Sequence, residues 1–147
     1  MFIKKLYKDT TLPTKAHSDD AGFDVYSRED KLIEPGKRYN FALGFALELV
    51  DPHRSDDKYV GLIQGKSGRA VKQGITTIGN VIDQGYRGEC HAILVNLGES
   101  DIVIKSGEKI AQLLILPIAN CHVLRKKEEL HESKRGDGKF GSTGLTN

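Results

Sequence analysis

Large apolar side chains fall at every second position between residues 39 and 49: Tyr39, Phe41, Leu43, Phe45, Leu47 and Leu49. The residues between them, Asn40, Ala42, Gly44, Ala46 and Glu48, are small or polar. A period of two belongs to an extended chain with one buried face, so the stretch predicts a strand. Phe2–Lys5, Phe23–Tyr26, 59–64, 90–96, Ile102–Ile104 and 110–116 read as shorter strands in the same way. Pro35-Gly36, Asp51-Pro52, Gln84-Gly85, Leu97-Gly98 and Ser106-Gly107 mark turns between them. Ser67–Gln73 predicts one short helix, ended by Gly74. Residues 125–133 are polar apart from Leu130 and predict a solvated arm. Many short strands without a repeated helical crossover imply an antiparallel sandwich, jelly roll or barrel.

Composition narrows the picture. With 147 residues the chain holds one domain with a real core. Its 22 basic and 20 acidic residues leave a net charge of +2, too balanced for a general nucleic-acid or membrane binder, so recognition of any anion must be local. Two separated cysteines, Cys90 and Cys121, make neither a disulfide framework nor a zinc site and fit a reduced cytoplasmic setting. The N-terminal residues lack the apolar stretch of a signal peptide, and no apolar run reaches the roughly 18 residues of a membrane span.

Five segments carry more glycine and charge than strands require. Ala21-Gly-Phe-Asp-Val-Tyr-Ser27 places Asp24 after a glycine that permits close approach. Gly65-Lys-Ser-Gly-Arg-Ala70 ends a strand and opens the helix, where backbone N–H groups, Lys66 and Ser67 favour a phosphate. In Gly79-Asn-Val-Ile-Asp-Gln-Gly-Tyr-Arg-Gly-Glu89, Asp83 follows an apolar pair and predicts a partly shielded carboxylate, a candidate base. Gln84-Gly85 there suits a tight hairpin that presents Tyr86. Gly107-Glu-Lys-Ile-Ala-Gln-Leu-Leu114 sets Gln112 among apolar neighbours, where its amide needs a partner. The fifth, Lys134-Arg-Gly-Asp-Gly-Lys-Phe-Gly-Ser-Thr-Gly144, combines glycines that can form an anion nest, a guanidinium that can fork onto phosphate, two hydroxyls, and Phe140 as a stacking face.

In this order and spacing the five segments resemble the five motifs of the trimeric dUTPase (dUTP diphosphatase) family, over essentially the whole chain. The resemblance implies an all-β, distorted jelly-roll or β-barrel-like subunit with one short helix, assembling as a homotrimer with shared active sites. It implies a β domain over residues 1–133 and a flexible Gly-rich arm over 134–147 that closes over a neighbouring subunit's site. The implied reaction is hydrolysis of dUTP to dUMP and pyrophosphate with Mg²⁺ on the triphosphate, which limits uracil in DNA and supplies dUMP for thymidylate synthesis. Carried onto this chain, Asp83 would activate water for attack on the α-phosphorus. Tyr86 would pack under the deoxyribose and exclude a 2′-hydroxyl. The backbone of Gly79, Asn80 and Val81, read as a hairpin, would recognise uracil. Lys66, Ser67, Gly68 and Gln112 would hold phosphates, and Asp24 would hold a water of the Mg²⁺. Arg135, Gly141, Ser142 and Thr143 would grip the γ-phosphate side while Phe140 stacks on the base. The implied partners are dUTP and two further copies, with no nucleic acid and no membrane. The implied location is the cytoplasm, or the nucleus or host cytoplasm if the coding genome is viral.

Several positions depart from the common family pattern. Lys66 stands where Arg is usual and loses its bidentate geometry. Arg69 stands where Leu is usual, and this extra cation could compensate or could contact a neighbouring subunit. Thr77, Asn80, Gly85 and Lys139 also differ. A dCTP deaminase-like or bifunctional enzyme is the competing reading, but the carboxylate that chemistry needs would fall at Ile93, among apolar neighbours. A third reading keeps the nucleotide surface as a regulatory module.

Overall fold

The alternating stretch between residues 39 and 49 is two strands rather than one. A computed structural model describes residues 1–53, 56–121, 124–129 and 131–133 of the chain. In it β1 is Phe2–Lys5, β2 Phe23–Tyr26, β3 Lys31–Ile33, β4 Arg38–Ala42 and β5 Phe45–Glu48. Then come β6 Lys58–Gln64, α1 Ser67–Gln73, β7 Ile75–Ile78, β8 Val81–Ile82, β9 His91–Asn96, β10 Ile102–Ile104 and β11 Lys109–Ile118. β4 pairs with β9, whereas β5 pairs with β1, so the chain changes sheets between them. Alternation survives the crossing: Phe41, Leu43, Phe45, Leu47 and Leu49 are all buried.

Gly44 makes the crossing. Its φ is +79°, and a Cβ there would stand 2.3 Å from the Thr10 hydroxyl and 2.7 Å from Arg28 Cδ. The backbone is also clamped. Leu6 N–H and the buried Thr10 hydroxyl donate to the Gly44 carbonyl, at 2.8 and 3.1 Å, and Gly44 N–H donates to Glu89 Oε1 at 2.8 Å.

The strands form an all-β, distorted jelly-roll arrangement with one short helix, as the pattern predicts. Every strand pairing is antiparallel. The largest sheet runs β2-β11-β6-β8, and a three-stranded sheet runs β4-β9-β7. Val25, Phe41, Phe45, Ile63, Leu94 and Ile110 belong to one continuous core. Asn96 is fully buried within it, and its side chain is satisfied: Nδ2 donates to the Ile33 and Ser100 carbonyls, and Oδ1 accepts from Gly98 N–H. Residues 124–129 and 131–133 hold neither helix nor strand, as a polar arm should. The proposed closing arm, 134–147, lies outside the described residues. Among the described residues no helix is long and apolar enough to cross a membrane.

Because Gly44 combines a left-handed backbone with blocked space, Gly44→Ala should cost more than about 2 kcal/mol. Gly36 has a similar φ of +73° but nothing within 4 Å of a Cβ, so Gly36→Ala should cost only about 1 kcal/mol. Urea midpoints of the two variants measure the difference, and equal losses would mean that the clamp around Gly44 yields freely.

Candidate active site

Sheet register assembles three of the five segments. Gln112 on β11 faces Asp24 on β2 and Gln64 on β6, so the three lie in one row across the sheet. Gln112 Nε2 donates to the Gly65 carbonyl at 3.2 Å, which supplies the partner its amide needs. Gly22 lets β2 start close by, since a Cβ there would lie 2.9 Å from Gln112 Oε1.

A bulge then brings a cation to the same place. The β11–β2 register shifts between Lys109 and Ala111, leaving Ile110 as the extra residue. Ile110 and Ala111 are consecutive yet both buried. The slip lets Lys109 share the face of Asp24 instead of opposing it. Lys109 Nζ reaches Asp24 Oδ2 at 2.7 Å, and Lys66 Nζ pairs with Asp24 Oδ1. Asp24 is only 8% exposed. Burial alone would push its carboxyl upward, but the hydrogen bonds from Lys109 and Lys66 and their charges outweigh this and hold it below the ordinary value. The same contact with Asp24 raises the Lys109 ammonium.

Beside this cluster is a cavity of about 450 Å³ lined by Lys66, Ser67, Gly68, Arg69, Lys72, Gln73 and Gln112. Its charged lining is wholly basic, so it suits a polyanion. Gly68 has nothing within 4 Å of a Cβ, so the space over it is open. The structure therefore brings together Lys66, Ser67, Gly68 and Gln112, with Asp24 behind Lys66. Arg69 and Lys72 were not among the site residues read from the sequence; basic side chains one helical turn along α1 were the available signal.

A second cavity, of about 300 Å³, is lined by Gly79, Asn80, Val81, Asp83 and Tyr86 together with Ile63, Ile82, Glu89, Cys90 and His91. It shares no lining residue with the first. Three sequence expectations are corrected here. Gly79-Asn80 is not a hairpin tip: β7 pairs with β9 and β8 with β6, so the chain steps between sheets, turning at Gly79 with φ +57°. Gln84-Gly85 does form a tight turn, closed by Tyr86 N–H donating to the Asp83 carbonyl at 3.0 Å, but the strands on either side do not pair with each other. Turn residues mark a reversal without naming the strands that pair. Asp83 is also exposed rather than partly shielded within the single chain, because only Ile82 of the preceding pair turns inward.

Tyr86 folds back along its own loop. Its hydroxyl donates to the Glu89 carbonyl at 3.0 Å, and a Cβ at Gly88 would lie 2.4 Å from that hydroxyl. Gly88 is thus required for the ring's placement. Glu89 lines the cavity, but its carboxylate accepts from Gly44 N–H and from the Tyr7 hydroxyl, which ties the loop to the strand crossing. Cys90 is buried; burial, then the Glu89 charge, pushes its thiol up to about 11, so it is no nucleophile at neutral pH. Ile93 stands beside Gly79, with Cδ1 3.4 Å from where a Cβ would lie. The position a deaminase would need for its carboxylate is apolar. Thr77 donates to the Ile63 carbonyl at 3.2 Å and holds β7 to β6.

A family model described as dUTPase matches residues 8–144. The chain belongs to the dUTPase family. A relative named deoxyuridine 5′-triphosphate nucleotidohydrolase, from Clostridium tetani (strain Massachusetts / E88), is 44% identical over 144 residues, 97% of this chain and 94% of the relative. Staphylococcus bacteriophage 80alpha dUTPase, solved with dUPNHPP, superposes with a TM-score of 0.86 at 28% identity, covering 98% of each chain. A mutant dUTPase from phage phi11 of S. aureus shares the fold, with a TM-score of 0.75 at 24% identity over 87% of this chain and 96% of its own; its structure describes coordination of a structural Mg(II) ion.

The described residues do not by themselves form a site for a resident Mg²⁺. Among the described residues no three His, Cys, Asp or Glu side chains gather as a metal site. Both Asp24 oxygens are taken by ammonium groups. Asp24, expected to hold a metal-bound water, is paired here with the two lysines. Arg135, Phe140, Gly141, Ser142 and Thr143 lie outside the described residues.

Asp24 has a lowered carboxyl pKa in the folded chain, so its stabilising effect is complete above the unfolded value near about 3.9 and fades as pH falls through the folded one. Asp24→Asn should flatten the acid limb of a melting-temperature profile below about pH 4. An unchanged acid limb would remove Asp24 from the account of that cluster.

Proposed function

We propose that Asp83 is the base with which this chain carries out the family's reaction, hydrolysis of dUTP to dUMP and pyrophosphate. Asp83 takes a proton from water as the water attacks the α-phosphorus; the P–O bond to the β-phosphate breaks, and pyrophosphate leaves. The basic cavity of Lys66, Ser67, Gly68 and Gln112 holds the phosphates, and the cavity of Gly79, Asn80, Val81 and Tyr86 holds deoxyuridine. Mg²⁺ enters as part of the substrate, on the triphosphate. Tyr86 presents its ring to the sugar and leaves no room for a 2′-hydroxyl.

The observation that supports this reading is the division of the assigned residues between two cavities. Base and phosphates belong to one substrate, yet the residues assigned to each line different cavities with none in common. A nucleotide joins them if the cavity of one copy faces the other cavity of a second copy. A homotrimer with shared sites satisfies that requirement. The 134–147 arm then supplies Arg135, Ser142 and Thr143 to the phosphates and Phe140 to the base. Discrimination against cytosine comes from unpaired backbone groups, a stronger filter than size. Cysteines that form no disulfide among the described residues suit a reduced, cytoplasmic setting.

Asp83→Asn should lose activity by roughly 10²–10⁴-fold, because an amide cannot accept the proton, with only modest loss of dUTP binding. Steady-state turnover alongside binding of dUPNHPP separates the two effects. A variant within about tenfold of wild type would reject Asp83 as base.

A further inference from the structure

Helix α1 carries Ser67 and Gly68 into the basic cavity, yet none of its residues is buried. Apolar packing therefore does not fix it. Arg69 supplies a polar anchor instead. Its Nε donates to the Lys109 carbonyl at 3.0 Å, its Nη2 pairs with the Glu108 carboxylate, and its Nη1 donates to Gln73 Oε1 at 3.4 Å. All three guanidinium nitrogens are engaged, and the side chain is only 18% exposed. A guanidinium so committed is a strut rather than a free phosphate ligand.

What it braces is the bulge. Lys109 is the residue that the register slip turns toward Asp24, and its carbonyl is the one that Arg69 holds. From there the contacts run on: Lys109 Nζ to Asp24 Oδ2, and Asp24 Oδ1 to Lys66 Nζ. Lys66 is a single ammonium on a flexible stem, without the planar fork of an arginine, so its aim depends on its counter-ion. We propose that Arg69 is a positioning residue for triphosphate binding: by capping the β11 bulge and anchoring α1, it holds Lys109, Asp24 and Lys66 in the alignment that receives the β- and γ-phosphates. This rests on the reading of the basic cavity as the triphosphate site. The extra cation at this position thus has partners within its own chain.

The test compares two probes, dUPNHPP and dUMP, by calorimetry on the full chain. Arg69→Leu should weaken dUPNHPP roughly five- to tenfold while changing dUMP less than about twofold, since dUMP lacks the phosphates concerned. Arg69→Lys should recover only part of the loss, since an ammonium cannot make the forked contacts. If Arg69→Leu fails to fold, Glu108→Gln removes the strut's carboxylate partner at constant shape and should give the same selective loss. Equal weakening of both probes would mean a merely structural arginine, and no weakening of either would also overturn the proposal. Lys66→Ala serves as the control for the underlying reading. If it leaves the ratio of the two affinities unchanged, the cavity is not the triphosphate site and both readings fall. If it shifts the ratio while Arg69→Leu and Glu108→Gln do not, the role of Arg69 alone falls.

Discussion

A nearly buried carboxylate between two ammonium groups is the interaction on which the basic-cavity side of this molecule, the proposed phosphate site, depends. Asp24 cannot be charged inside a protein without partners, and Lys66 and Lys109 cannot sit close together without a counter-ion. Each therefore fixes the others. The row of Asp24, Gln112 and Gln64 sets the sheet register, and the bulge at Ile110 delivers Lys109 to it. One element of local irregularity thus adds a second ammonium to Asp24, beside the cationic wall formed by Lys66, Arg69 and Lys72. The mixed charges elsewhere on the chain leave this wall as a local feature, which is what a balanced net charge requires of an enzyme for an anionic substrate.

The second constraint lies at the cavity lined by Asp83 and Tyr86. Glu89 accepts a hydrogen bond from the backbone of Gly44, so the loop bearing Asp83 and Tyr86 is tied to the point where the chain passes between sheets. Tyr86 lies over Gly88 because no side chain stands there. The cavity proposed for the base is consequently set by backbone geometry rather than by a cluster of reactive side chains. Its one exposed carboxylate, Asp83, faces outward from the single chain, where a second copy can meet it.

Much of this was legible from residue order. The alternation between positions 39 and 49 marked the core face correctly, because side-chain period survives a glycine that redirects the backbone. The helix at Ser67–Gln73 was legible down to Gly74, since a left-handed cap is a local requirement. Three strands carry no sequence signal of their own, Lys31–Ile33, Ile75–Ile78 and Val81–Ile82. They are short, and their pairing is with strands distant in sequence, so no local period announces them. For the same reason Gly79-Asn80 read as a hairpin although its flanking strands join different sheets. Motif order identified the family, but it could not show that Asp24 would spend both oxygens on lysines or that Arg69 would be held by Glu108 and Lys109. Those contacts depend on a one-residue bulge.

The central claim is that one copy supplies the base-side cavity and another the phosphate-side cavity of each working site. Co-expressing Asp83→Asn and Lys66→Ala chains, each feeble alone, tests it directly at dUTP concentrations well below saturation. If sites are shared in a randomly mixed homotrimer, about a quarter of them pair an intact Asp83 with an intact Lys66, and activity should rise toward about a quarter of wild type. If the mixture is no more active than the two variants assayed separately, both cavities belong to one chain's own site and the account is wrong.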